Sequence, residues 1–378
     1  MNPRSVVRSF IWLGATVLLS TGWQVGCIPD PTSSDSQLLT LDLDRDKSTY
    51  VTPHLQAPIV DGQNLVWCAT FQLAWDELCA AAGGDVHLAP PEDPMVSVLD
   101  RHPITTADLD PDSYLAIAGK VRDGIYARIS QTMHDRFADA KPRLMPTPRD
   151  AVLPDDIVAY CYLFKKLDFP VPFERLDMPL DFAGTKVTAF GMAPDKSGHE
   201  KMAQNVTILD YLDRDDFLIE LKIKSPKDHL VLAKIKPGKT LEETIKAVQT
   251  RQAAATPFSA RPIDILTVPK MNFDIDRSYP ELDGKLIVRP LATALGGLWI
   301  HKAVQNIRFQ MDEKGVVLQS EAKMVAIGCS DDVPNHPLLL EFDKPFLLLM
   351  SREGGKHPYF AMWVNNPALL VKTEKNTR

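Results

Sequence analysis

The stretch FDKPFLLLMSREGGKHPYFAMWVNNPALL, from Phe342 to Leu370, constrains the fold more than any other part of the chain. Two apolar runs, FLLLM and YFAMWV, flank a polar loop around Gly354-Gly355, which is the pattern of a β-hairpin. Neither run alternates cleanly between apolar and polar residues, so both faces of the hairpin must be buried. That requires a large core. A chain of 378 residues with 45% hydrophobic and 24% charged content can supply one. The formal charge of −7 and the lack of a dense Lys/Arg stripe argue against nucleic acid as a partner. The 30 prolines fall mainly in connections such as APPEDP and RLMPTPRDAVLPDD, which suits a fold of sheets and long loops.

The first 27 residues read as a leader, not as part of the fold. MNPRSVVR is basic, SFIWLGATVLLSTGW is apolar but short for a membrane span, and VGC follows. A Cys directly after Gly at the end of such a leader resembles a bacterial lipoprotein processing site, with Gln24-Val25 departing from its usual residues. That resemblance implies lipidation of Cys27, export, and a membrane-anchored lipoprotein or an extracellular or periplasmic protein. The alternative is ordinary secretion or an uncleaved anchor. The polar tether PDPTSSDSQ fits a domain held off a membrane, and we divide the chain into leader (1–27), tether and extension (28–60) and one domain (61–372). Cys68, Cys79, Cys161 and Cys329 form no CxxC or metal-ligand spacing; export permits disulfides among them, while small buried hydrophobes are the simpler reading.

Along the chain, DLDRD at 42–46 fails as a calcium loop, because Lys47 and Pro53 occupy the positions of the turn glycine and the last acid. DLDPD at 108–112 reads as a helix start, with Asp110 as cap and Pro111 in the first turn. Val121, Ile125, Ile129, Met133 and Phe137 then recur every four residues, predicting an amphipathic helix lying on another layer. An earlier helix is expected across FQLAWDELCAAAGG, entered from the strand NLVWC and stopped at Gly83-Gly84. From about residue 156 strand-like runs dominate, interrupted by TLEETIKAVQTRQ, where Thr240 and Glu243 suggest a capping box. The fold class is α+β: large, mainly antiparallel sheets, helices mostly in the N-terminal half, and a buried C-terminal hairpin.

The order of these segments resembles the serpin family. Phe342, Pro345, Phe346 and Leu347 match its Phe-x-x-Pro-Phe-Leu strand; Phe360, Val364, Asn366 and Pro367 match the strand that follows, with Met362 at a family glycine. MDEKGVVLQSEA (311–322) is similar to the hinge of the family's reactive loop, and TVPKMNFDIDRSY (267–279) to its Val-Pro-Lys-Phe strand. AYCYLFKKLDFPVPFE (159–174), the LKIKSPKDHLVLAKIKPGKTLEETIKAV segment and NLVWCATFQLA (64–74) have family counterparts in the same order. Residues 86–155 show no alignment.

The resemblance implies an inhibitor of a serine or cysteine protease, monomeric, without catalytic residues, metal or cofactor. It acts through a reactive loop around 316–341 that inserts into a sheet after cleavage. The hinge set is Glu313, Gly315, Val316, Leu318, Ser320 and Ala322; Val316, Leu318, Ser320 and Ala322 would turn inward, and Leu318 is large for that place. Cys329-Ser330 falls where the scissile bond would lie, the alternative being a plain loop cysteine before an acidic turn. Ungapped matching puts Cys68, Phe71, Tyr160 and Gln305 at the polar cluster beneath the sheet, with a Tyr-Gln hydrogen bond expected, and leaves His301 as an ordinary strand-end residue. The nine scattered histidines and the lack of a nucleophile or phosphate-loop motif argue against an enzyme. A non-inhibitory serpin-fold lipoprotein with a binding or structural role is the alternative.

Overall fold

Chain-distant strands assemble here around the C-terminal hairpin. The computed structural model describes residues 38–43, 47–138, 142–151, 153–194, 198–289, 298–317, 319–320 and 336–373. The leader with Cys27, the start of the tether, Leu318, Ala322, Cys329 and Ser330 lie outside the described residues, and Ser320 is described in its backbone alone.

The strands that matter for the site are, in chain order, β1 (Leu39–Asp42), β2 (Thr49–Thr52), β3 (Asn64–Cys68), β4 (Tyr114–Lys120), β5 (Ile157–Leu163), β6 (Lys166–Asp168), β7 (Val206–Asp213) and β8 (Asp216–Leu221). They continue with β9 (Asp228–Lys234), β10 (Phe258–Ser259), β11 (Met271–Ser278), β12 (Val304–Asp312), β13 (Gly315–Val317), β14 (Gln319–Ser320), β15 (Phe346–Arg352) and β16 (Pro358–Val364). The helices are α1 (Thr70–Ala82), α2 (Pro94–Leu99), α3 (Ile125–Arg136), α4 (His199–Ala203) and α5 (Leu241–Ala254). The architecture is mixed α/β, with many strands and few helices among the described residues.

The hairpin β15–β16 lies in the interior of an eight-stranded sheet of order β10-β7-β8-β9-β15-β16-β3-β2. Phe346 to Met350 and all of β16 are buried, so the lack of alternation in sequence corresponds to burial on both faces. This sheet is the largest of the described ones. Beyond the hairpin, Asn366 ties the chain to β2 and β3: its Nδ2 donates to Ser48 O (2.7 Å) and Gly62 O (2.8 Å), and its Oδ1 accepts from Asn64 Nδ2 (2.8 Å) and Ala368 N (2.8 Å). Asn64 Oδ1 in turn accepts from the Asn365 and Asn366 amides, so the Asn-Asn-Pro corner is saturated with hydrogen bonds.

Local signals meet mixed outcomes. α1 ends where Gly83 turns left-handed (φ 86°) and donates its N–H to Cys79 O (2.9 Å). α3 buries Ile125, Ile129 and Met133, with Phe137 just past its end, against Leu115 and Tyr160 of the β4–β5 ribbon. Asp110 opens only a single 3₁₀ turn (Pro111–Ser113) without a side-chain cap; strand β4 follows, and the helix starts at Ile125. The Asp110 carboxylate is instead drawn inward by Lys227. Thr240 caps α5 by accepting from Glu243 N (3.1 Å), but the Glu243 carboxylate reaches back to Lys239 N (2.8 Å), one residue before the position a reciprocal box requires.

Candidate functional site

A second sheet, of order β1-β11-β12-β13-β6-β14, carries the site. β11 and β12 pair antiparallel along their length, from Met271↔Met311 to Ser278↔Val304. At Asp312 the chain turns through Glu313-Lys314 and returns as β13, whose residues Gly315, Val316 and Val317 lie opposite Asp312, Met311 and Gln310. The other edge of β13 pairs with β6, Gly315 opposite Asp168 and Val316 opposite Leu167. β13 is therefore a wedge that holds β12 and β6 one strand apart, about 10 Å at the usual spacing.

Beyond this wedge β12 shares no ladder with β6 or β5 among the described residues. β6 is the continuation of β5 through Phe164-Lys165, and β5 is hydrogen-bonded only to β4 among the described residues. Over Val304–Phe309 the edge of β12 that faces away from β11 has no described ladder partner either. Among the described residues, two backbone edges without a ladder partner thus run on from the end of β13 and bound a slot. Its upper end requires glycine: a Cβ on Gly315, which has φ +150°, would stand 2.4 Å from Leu167 O and 2.8 Å from Asp168 Cα.

The turn that leads into the wedge is firmly tied. Phe173 N donates to Glu313 O (2.8 Å), Phe169 N to Lys314 O (2.9 Å), and Lys314 N to Asp312 Oδ1 (2.8 Å). The Glu313 carboxylate forms an ion pair with Lys270, whose side chain is 4% exposed. Burial pushes the Glu313 carboxyl up, yet the hydrogen bond and charge of Lys270, with help from Lys314, outweigh it and hold the group below its ordinary value.

Beneath the slot Gln305 is the centre of a buried polar cluster. Its Oε1 accepts from Tyr279 Oη (2.8 Å), and its Nε2 donates to Thr70 Oγ1 (2.9 Å) and Cys68 O (3.2 Å). Thr70 Oγ1 lies 3.7 Å from Cys68 Sγ, and the Phe71 ring packs on Tyr279 with centroids 4.1 Å apart. The Tyr-Gln bond expected here is made by Tyr279, and this corrects the assignment of Tyr160. Successive side chains of β5 point to opposite faces, so Tyr160 joins the α3 layer while Cys161 turns to the main core. Leu167 and Met311 both lie level with Val316, and counting back equally along the two walls brings Cys161 level with Gln305.

Of the residues expected from sequence, Glu313, Gly315 and Val316 come together in the wedge, and the Val316 side chain is fully buried in the core. Ser320 pairs in β14 with the other edge of β6, parallel to it, so the chain leaves the slot after Val317. His301 is exposed beyond the short strand Trp299–Ile300. Lys270 and Tyr279 were missed as site residues, although both stand in the TVPKMNFDIDRSY motif. Burial raises the thiol pKa of Cys68 and lifts that of Cys161 well above its ordinary value, which disfavours the thiolate at both.

No family model and no curated protein matches the chain. Among solved structures it is similar to Serpin48, a highly specific serpin of the insect Tenebrio molitor, at 12% identity over 80% of this chain and 92% of that one, with a TM-score of 0.42. It is also similar to thyroxine-binding globulin in complex with thyroxine, at 15% identity over 65% of this chain and 64% of that one, with a TM-score of 0.36.

Proposed function

We propose that the chain is a serpin-type inhibitor of a serine or cysteine protease. It offers 316–341 as bait and, once cut, draws the freed segment into the slot between β12 and β5. The observation that carries this reading is the wedge β13: the segment following Asp312 already occupies the top of the slot, between two edges that have no partner below it among the described residues. An inserted strand gains a ladder on each side, and each backbone hydrogen bond adds about 0.5–1.5 kcal/mol net. The alternation that buries Val316 directs positions 318, 320 and 322 inward if the strand extends, and forcing Leu318 into place costs about 1–3 kcal/mol. In the same reading the protein is an exported bacterial lipoprotein, a monomer anchored through lipid on Cys27; labelling with a radioactive fatty acid, lost in Cys27→Ala, tests the anchor.

A second reading is a non-inhibitory serpin-fold protein with a binding or structural role. Two observations favour it: Gln319–Ser320 runs along the wrong edge of β6 for insertion, and the Gln305 amide is committed on both its oxygen and its nitrogen. Incubating the ectodomain with a panel of serine and cysteine proteases decides between the two. Inhibition gives a covalent complex that survives denaturing gels and a cleaved form with a raised melting temperature. Clean cleavage near Cys329, with no complex and no gain in melting temperature, overturns it in favour of the second reading.

A further inference from the structure

The β4–β5 ribbon forms one wall of the slot, and the two ends of the ribbon are held very differently. At the end where β4 begins and β5 finishes, Lys165 is fully buried with its Nζ 2.7 Å from Asp228 Oδ1, at the start of β9 in the large sheet. Asp228, itself buried, also accepts from Ser225 Oγ (2.9 Å) and Tyr359 Oη (3.0 Å), and the Lys165 ammonium sits 5.4 Å from the centroid of the Tyr359 ring. The entry to β4 converges on the same charges: Asp110 lies 4.0 Å from Lys165 Nζ and 3.2 Å from Lys227 Nζ, and Ser113 O accepts from Phe164 N (2.8 Å). At the opposite end, where β4 finishes and β5 begins, Asp155 joins Lys120 (2.9 Å) and Arg122 (2.6 Å) in solvent.

A buried lysine and aspartate hold one geometry because leaving either unpaired in the core is strongly unfavourable, whereas exposed pairs contribute little. The strong clamp draws its partners from β9 and β16 of the eight-stranded sheet, which has ladders on both sides at these strands. Between the two ends the ribbon rests on side-chain packing against α1 and α3 and has no ladder to β12.

We propose that the Lys165–Asp228–Tyr359 cluster is the hinge on which the β4–β5 ribbon swings to widen the slot, with Lys165 as its positioning residue. This deepens the inhibitor reading and rests on it for its purpose, but the hinge itself is a statement about motion that can be measured alone. The clamped end stays fixed to the large sheet while the Lys120–Ile157 end moves.

Hydrogen exchange on the full chain, read by mass spectrometry, tests it. In the wild type, amide protection falls along the ribbon from Tyr114 and Leu163 towards Lys120 and Ile157. In Lys165→Met/Asp228→Asn, which removes both charges while keeping an acceptor for Tyr359, exchange across β4 and β5 rises at least about tenfold, and β7–β8 keeps its protection. Lys246→Ala, which removes an exposed pair with Glu242 on α5, leaves the ribbon unchanged. Unchanged ribbon exchange in the double variant, or an equal rise in every element, overturns the hinge. If the double variant fails to fold, the wild-type gradient decides: flat or reversed protection along the ribbon overturns the proposal. Incubation with a protease that the wild type traps should then yield more cleaved protein and less complex in the double variant. If the wild type traps no protease, the inhibitor reading fails while the exchange result stands on its own.

Discussion

In the eight-stranded sheet each interior strand has a ladder on both sides, and the strands of the hairpin are buried for nearly their whole length. The walls of the slot, β12 and β5, each have one complete ladder and, among the described residues, one edge without a partner for most of its length. The strands are of similar length, but those of the hairpin are apolar whereas β12 alternates polar and apolar residues. They also differ in which backbone groups find partners among the described residues, and that sets where the fold resists local opening. A continuous ladder with apolar faces on both sides resists opening, whereas a sheet interrupted by one strand's width is a place where insertion gains hydrogen bonds.

The largest expected effect comes from damage to the closed region. Phe360 is fully buried and stacks on Phe309 with centroids 5.1 Å apart, so Phe360→Ala should cost about 3–5 kcal/mol in urea unfolding. A loss under about 1 kcal/mol would break the contrast, since the hairpin would then not anchor the core. Gln305→Leu comes next. It strands the buried Tyr279 hydroxyl and the Cys68 carbonyl, at about 1–3 kcal/mol for each unpaired group, and should raise amide exchange along β12 before the hairpin responds. Equal protection loss in both regions would show that the cluster supports the whole fold and is not specific to the slot.

Gly315→Val should expel the wedge because of the clash with β6, with a local cost of about 1–3 kcal/mol. Limited proteolysis is expected to nick the 313–320 segment faster in this variant, and an unchanged cleavage pattern would mean that β13 does not need the close approach. The smallest effect concerns His229, whose Nδ1 lies 2.5 Å from Glu220 Oε1 and whose Nε2 meets Glu353. The hydrogen bond with Glu220 leads in raising its pKa to about 9, against burial and with support from Glu353. Because the folded value is raised, this contribution is fully present below the unfolded value of about 6.5 and is lost as pH rises through about 9. His229→Gln should therefore show a smaller fall in melting temperature between pH 7 and pH 10 than the wild type does; parallel curves would remove His229 from the large sheet's stability.

What could be read from sequence was local in origin. The four-residue spacing of Ile125, Ile129 and Met133 encodes a helix face, and the cap at Thr240 needs only residues within one turn. Misreadings arose where a nearby pattern met a distant partner. Asp110 has the neighbours of a helix cap, but Lys227, far along the chain, claims its carboxylate. Matching placed Tyr160 in the polar cluster, and a shift of one residue on a strand was enough to exchange it for Cys161, while Tyr279 supplied the hydroxyl.

The sequence by itself determined the apolar hairpin, the amphipathic helix and the turn at Gly83, because each depends on side-chain period or backbone freedom within a few residues. Tertiary structure alone decided that the hairpin sits in the largest described sheet, that Gly315 abuts the backbone of β6, that Lys165 meets Asp228, and that β12 and β5 share no ladder among the described residues. Those outcomes depend on ladders and buried charges joining distant segments; Gln305 and Cys68, for example, are 237 positions apart. Strand periodicity tells which face a residue takes, but the neighbour across that face is chosen only when the sheets assemble.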